Sequence, residues 1–286
     1  MKQLLHLLFV GLLASSCIKN NPDPAWLEVT KWSLVANPNS ENQTGELTHN
    51  FSEAWVYIDD KIVGVFEVPF KIPILQSGNV NIKIYPAIKN NGIAATKKIY
   101  PFVEVFEVNA NLVQNQTLTL NPITRYVSVT KFWIEDFEDP AVKIITDPNS
   151  QTALSQGSDP LILEYGNNYG EVNLNLTDST WVAFTEQLPY IQIGKEVYLE
   201  IDYYNTNALI TGLIAISPSS VINNQNVQLN PQDPASVKWK KIYIDLKEVV
   251  SNSSAQADFR ISFQALIDSG DSEGKIVLDN IKVVSF

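Results

Sequence analysis

Apolar and polar residues alternate with a period of two along much of this chain. Val197, Leu199, Ile201 and Tyr203 interleave with Tyr198, Glu200, Asp202 and Tyr204. Phe259, Ile261, Phe263 and Ala265 interleave with Arg260, Ser262 and Gln264, and Val80, Ile82 and Ile84 with Asn79, Asn81 and Lys83. Successive side chains on a strand point to opposite faces, so each such run predicts one apolar and one wet face. Beyond the N-terminus, no stretch of about twelve residues carries a helical apolar stripe. Asp245 to Val250 is the best candidate for a helical turn. The chain is expected to be all-β.

Turn chemistry divides it further. Ala54–Ile58 and Ile62–Phe66 flank Asp59-Asp60-Lys61, a hairpin signal. Asn90-Asn91-Gly92 is a second turn, because Asn and Gly tolerate positive φ. Pro69, Pro73, Pro86 and Pro101 belong at edges or strand ends. Residues 26–127 hold one set of strands and residues 128–286 another, joined by a β-rich crossing near residues 121–130. In the second set, Ala208–Ile216 is a nearly continuous apolar run around Gly212, broken by Thr211, as in a strand buried on both faces. Val237 and Trp239 precede Ile242, Ile244 and Leu246, so the inward parity changes between Lys240 and Lys241; a bulge there would account for the switch.

The first residues read as an export signal: Lys2, the apolar run Leu4–Leu13, then Ala14-Ser15-Ser16 before Cys17. Ten apolar residues are too few for a spanning helix, which needs roughly twenty. The stretch resembles a bacterial lipobox, with Ala14 at the position where Leu is commonest. That resemblance implies a signal peptide at 1–16, a lipid on Cys17 and a tether at 17–25. The alternative is ordinary secretion with Cys17 unlipidated. Cys17 is the only cysteine, which excludes an intrachain disulfide. Ile18 follows it rather than Asp, which points to the outer membrane of a Gram-negative bacterium, facing the periplasm or the cell surface.

The formal charge of -11 argues against nucleic-acid partners. Arginine, whose forked guanidinium is the usual tool for phosphate and carboxylate recognition, occurs only as Arg125 and Arg260, so anionic ligands are not expected either. His6 lies in the signal, leaving His49 for the mature chain; it reads as a surface histidine. Zinc sites built on His and Cys are excluded by count. Carboxylates cluster at Glu135, Asp136, Glu138 and Asp139, and Glu200 shares a strand face with Asp202. Adjacent acids on one strand do not by themselves give the facing pair a glycosidase needs.

Residues 26–127 resemble immunoglobulin-like sandwiches in general. Residues 128–286 resemble jelly-roll, galactose-binding-like domains common among carbohydrate-binding modules. The latter likeness rests on Glu135-Asp136-Phe137-Glu138, Tyr169-Gly170, Tyr198–Tyr204, Lys238–Leu246, Phe259–Ala265 and Gly274–Val283. The expected fold is therefore an N-terminal immunoglobulin-like β-sandwich followed by a C-terminal jelly-roll β-sandwich. Sugar binding needs aromatic faces and amides; Tyr165, Tyr169, Trp181, Tyr190, Tyr198, Tyr204 and Trp239 are available, with Trp239 read toward the core. The expected ligand-binding residues are Trp181, Tyr204, Tyr198, Tyr169 and Asn168. The likeness also implies a structural calcium ion where the first strand runs beside the last, held by Glu138 and Asp279. The expected function is a non-catalytic envelope or surface lipoprotein that binds glycan or another extracellular ligand. The alternatives are a structural or assembly component acting through envelope-protein contacts, and a carboxylate-based glycan hydrolase.

Overall fold

The computed structural model describes residues 23–38 and 44–286. The N-terminal strands are β1 (Ala25–Val29), β2 (Ser33–Leu34), β3 (Glu53–Ile58), β4 (Lys61–Glu67), β5 (Phe70–Ile74), β6 (Gly78–Lys89), β7 (Lys97–Ile99), β8 (Phe106–Leu112), β9 (Thr117–Leu120) and β10 (Ile123–Thr124). The C-terminal strands are β11 (Lys131–Glu135), β12 (Ile144–Thr146), β13 (Ser155–Gly157), β14 (Tyr169–Asn175), β15 (Thr180–Thr185), β16 (Val197–Asn205), β17 (Leu209–Ser217), β18 (Ser220–Leu229), β19 (Lys240–Asp245), β20 (Asp258–Leu266) and β21 (Glu273–Ser285). A short helix, α1 (Lys247–Ser251), falls close to the expected helical turn. The fold is all-β, as the alternation predicts.

In the N-terminal part, β1 pairs antiparallel with β5 and parallel with β9. A second sheet runs β4-β3-β6-β7, with β8 also on β6. The β3–β4 hairpin turns through Asp59 and Asp60, both at positive φ (48° and 61°). That is the geometry of a type I′ turn, whose twist matches the strands it joins.

In the C-terminal part, β14 to β17 and β18 to β21 each step back and forth between two antiparallel sheets, with β17 and β18 a hairpin within one of them, the arrangement of a jelly roll. One sheet runs β13-β14-β21-β16-β19, with β11 beside β21; the other runs β12-β15-β20-β17-β18. Between them lies one apolar core. It includes Leu199, Ile201, Ile244, Ile276 and Leu278 from the first sheet, and Trp181, Phe259, Ile261, Phe263 and Leu213 from the second.

The first sheet is covered on its other face as well. Tyr198, Tyr243 and Val284 pack into the N-terminal core with Leu27, Val56, Ile82, Ile84, Tyr100 and Phe102. The sheet is thus the middle layer of the molecule. Burial along β16 and β21 is nearly continuous rather than alternating. The wet face expected at Tyr198, Glu200 and Asp202 is corrected on this point: all three are buried.

One local expectation also changes. β16 and β19 pair in unbroken register from Lys240 to Asp245, so the parity change reflects a strand that starts only at Lys240. The irregularity sits instead between β16 and β21. There Glu200 and Asp202 face Lys282 and Asp279, and Asn280 adopts φ +46°. The extra residue on β21 is a bulge.

Candidate ligand-binding site

The buried face between the two parts is built around charge. Glu200 Oε1 accepts hydrogen bonds from the hydroxyls of Tyr100 (2.5 Å) and Tyr126 (2.9 Å). Lys241 Nζ lies 3.0 Å from Glu200 and 3.5 Å from Asp202. Asp202 also accepts from Thr48 Oγ1 at 2.5 Å, and Lys241 donates to the same hydroxyl at 2.9 Å. Lys282 donates to the carbonyl of Glu46.

Burial pushes the Glu200 carboxyl up, but Lys241, Lys282 and the Tyr100 hydroxyl outweigh it and hold it below its ordinary value. Burial dominates at Asp202, whose carboxyl is raised despite Lys241. At Lys282 burial and the like charge of Lys241 bring the ammonium down to about 8. These acids are tied to neighbouring lysines and tyrosines and do not face each other across an open cleft.

At the rim of this network a cavity of about 490 Å³ opens between the two parts. From the N-terminal side it is lined by His49, Asn50, Lys89 and Gly92; from the C-terminal side by Tyr165, Asp202, Tyr203 and residues 238–243. Trp239 is fixed by its indole N–H, which donates to the carbonyl of Ile162 at 2.7 Å. Tyr165 meets it edge-on at 5.7 Å between ring centroids, and Tyr204 lies tilted at 6.1 Å. Burial, with Asp202 nearby, pushes the Tyr165 hydroxyl up to about 12, so it is a donor at neutral pH. Half-buried rings beside amide, carboxylate and ammonium groups are what a polar ligand with an apolar face requires.

The structure separates the residues expected to bind ligand. Tyr204 is half-buried and packs against Trp239, but it is not part of the cavity lining, which takes Tyr203 instead. Trp181 is fully buried and stacks on Phe263 in the core, because it falls on the inward parity of β15. Tyr198 is fully buried and donates to Asn90 Oδ1 (3.0 Å), joining the two parts. Tyr169 is buried in a loop contact, its hydroxyl accepting from the Asp159 amide. Asn168 binds Glu138 through its backbone N–H at 2.9 Å. Trp181, Tyr198 and Tyr169 are therefore corrected: burial removes their faces from any ligand.

His49 is likewise no freely exposed histidine. It is half-buried in the cavity wall and stacked on Phe51. Burial and the Lys241 charge lower its pKa, so it is neutral at pH 7. Lys241 was legible only as part of a parity change, and Trp239 was counted among the available aromatics but read toward the core. The pattern Lys238-Trp239-Lys240-Lys241, an aromatic held among lysines where a strand begins, was the available signal.

Glu138 and Asp279 do lie near one another, on a smaller cavity of about 260 Å³ that Asp136, Gly166 and Asn280 also line. Glu138 is already occupied: its oxygens accept from the backbone N–H groups of Asn167 (2.7 Å) and Asn168 (2.9 Å) and from the Asn167 amide (2.9 Å). Burial, with Asp202, Asp136 and Glu138 nearby, pushes the Asp279 carboxyl up to about 8. Asn280 is fully buried, and its side-chain amide has no hydrogen-bond partner among the described residues. Among the described residues, no three His, Cys, Asp or Glu side chains gather at metal-ligand spacing. Cys17 lies outside the described residues. No described helix is long and apolar enough to cross a membrane.

No family model matches the sequence, and no curated protein matches it. Solved structures similar to the chain include the family 11 carbohydrate-binding module of a cellulosomal cellulase of Clostridium thermocellum. It is 18% identical, with a TM-score of 0.37 over 53% of this chain and 93% of that module. The CBM22-1 xylan-binding domain of Paenibacillus barcinonensis Xyn10C gives 11% identity and a TM-score of 0.36, over 54% and 92%. The K2 cleaved adhesin domain of Lys-gingipain gives 12% and 0.38, over 53% and 97%. The sandwich assignment itself rests on the strand order of the two facing sheets.

Proposed function

We propose that the chain is a non-catalytic envelope lipoprotein that binds glycan in the cavity beside Trp239. The observation that carries this reading is the pairing of Trp239 and Tyr165 with Asp202, Asn50 and His49 around one opening. Rings of this kind stack on the C–H face of a sugar while the polar groups meet its hydroxyls. Lipid attachment at Cys17 is supported by the sequence around it. A glycan-array screen of the purified chain, repeated with Trp239→Ala, tests the reading. Binding that falls about tenfold or more in the variant is expected, the loss of a stacking ring being worth on the order of 1–3 kcal/mol. Binding untouched by the substitution would place the ligand elsewhere.

A second reading, contact with another envelope protein, is favoured by the open edge of β18. This strand, SVINNQNVQL, has no charge and no proline, and exposes Val221 and Ile222. Charge and proline are the usual guards of an edge. Ile222→Lys should abolish such a contact, read by cross-linking in the envelope, and leave glycan binding intact.

A structural calcium ion near Asp279 is a further part of the proposal. Its support is a buried carboxyl among like charges beside an unpartnered amide. Calcium takes roughly six to eight oxygens, so carbonyls and water would have to complete the shell.

A further inference from the structure

The whole chain is acidic, yet the cavity beside Trp239 is not. Lys89, Lys238, Lys240 and Lys241 line it, against one carboxylate, Asp202. Two of the four are neutralised by neighbours. Lys241 is buried against Glu200 and Asp202, and Lys89 lies 3.8 Å from Glu53 and 3.9 Å from Glu67. Lys238 and Lys240 differ. Both are exposed, and among the described residues neither ammonium is in an ion pair or side-chain hydrogen bond. They flank Trp239, whose ring is held by the Ile162 carbonyl. Two uncompensated cations, adjoining Trp239 in sequence, thus line the same cavity as that fixed ring.

Lysines on an outer strand often serve only to keep other strands away. Here that role is already filled along much of β19. Asn90 bridges to Tyr243, the Asn91 N–H donates to the Tyr243 carbonyl at 2.9 Å, and the Asp245 N–H donates to Asn91 Oδ1 at 2.8 Å. The edge is occupied by the N-terminal part, and an incoming strand has no continuous row of free groups to pair with. The two lysines belong instead to the lining of the cavity.

Building on the glycan reading of this cavity, we propose that its ligand is an anionic glycan carrying carboxylate or sulfate groups. Lys238 and Lys240 meet the charge, and Trp239 and Tyr165 meet the ring. A scarcity of arginine across the chain does not oppose this. Lysine serves as a point charge for an anion that needs no bidentate fork, and what matters is where the cations collect. The negative charge elsewhere on the protein repels such a ligand and leaves this opening as its point of approach.

The test is calorimetric titration of the purified chain with an oligogalacturonate and its methyl ester, and with a sulfated oligosaccharide and its desulfated form. At least one anionic member should bind about tenfold or more tighter than its neutral counterpart. The difference should shrink as salt shortens the screening length. The Lys238→Ala/Lys240→Ala variant should lose the preference and keep the parent melting temperature, both side chains being exposed. Trp239→Ala should weaken every ligand bound; Tyr165→Ala replaces it if the tryptophan variant does not fold.

Whichever of the two anion types shows the preference identifies the substituent. Equal binding of anionic and neutral forms, or a preference that survives the double substitution, overturns the charge inference and leaves glycan binding in place. Failure of all four ligands in a chain that binds neutral glycans on the array does the same. Failure of all four together with an empty array overturns the glycan reading and this inference with it.

Discussion

The hydroxyl of Tyr100 donates a 2.5 Å hydrogen bond to Glu200 Oε1, joining two fully buried side chains, one from each part of the chain. Tyr126 donates to the same oxygen, and Lys241 sits 3.0 Å from the other. Hydrogen bonds to charged groups are worth about 1.5–3 kcal/mol, so Tyr100→Phe should lose about that much in urea unfolding. Glu200→Ala should lose more, about 3–5 kcal/mol, because Lys241 and Lys282 lose their nearer counter-charge in the interior and are left to share Asp202. A Glu200→Ala protein as stable as Tyr100→Phe would show that the network contributes little.

The same face predicts how the chain unfolds. Tyr198, Tyr243 and Val284 belong to the N-terminal core although they lie on C-terminal strands. Splitting the chain near residue 128 would expose them together with Glu200 and Lys282. Scanning calorimetry of the whole chain should show one transition, and a 128–286 fragment should melt well below it. Two transitions separated by more than about 10 °C would mean that the parts are stable independently and that the junction is weak.

Alternation at Leu199, Ile201, Phe259 and Ile261 was enough to specify strands and their inward faces, and Asp59-Asp60 and Asn91-Gly92 to specify turns. The opposite parity at Tyr198, Glu200 and Asp202 misled, because polar residues buried between two layers follow the same period as polar residues in water. Only their partners distinguish the cases, and Tyr100, Tyr126 and Thr48 are about 75 to 155 residues away. Trp181 misled for a related reason: a polar turn precedes it, but one residue of parity decides whether its ring is wet. Of the cavity, Tyr165 and Trp239 were legible as available aromatic residues, though Trp239 was read toward the core. His49 and Lys241 were not, since they meet only when the two parts pack.

Lys282 sets a test by pH. Burial and Lys241 bring its folded value down to about 8, while an unfolded lysine titrates near about 10.4. Between those values the unfolded chain binds more protons than the folded one at this site. Stability should therefore rise with pH from about 8 to 10 by on the order of 2–3 kcal/mol at most. Lys282→Met, similar in length and uncharged, should flatten that rise. An unchanged slope in the variant would assign the dependence to another group.

Membrane attachment has its own test. If Cys17 carries lipid, Cys17→Ser should move the protein from the membrane fraction to the soluble fraction, since two or three acyl chains anchor stably and none remains. The same variant expressed with an inert epitope should still be exported, as Lys2 and the Leu4–Leu13 run are intact. Retention in membranes at the level of the parent would sink the lipoprotein reading.

The last expectation concerns calcium. Asp279 is buried with its carboxyl raised to about 8, so without a cation it holds a proton at neutral pH. A bound divalent ion would replace that proton and offset the repulsion from Asp136 and Glu138. It would also tie the chain following β11 to β21, which already pair from Lys131 to Ser285. An ion that binds the folded chain alone stabilises it by about 2.7 kcal/mol at a hundred times its dissociation constant. For a chain of this size that is a rise of roughly 5 °C or more in melting temperature. The comparison is between metal-free protein with added calcium and the same protein with chelator, repeated for Asp279→Asn. A rise seen in the parent and absent in the variant supports the site. Superimposable curves for the parent would show that Asp279 keeps its proton and that the three amide groups around Glu138 complete the corner without a metal.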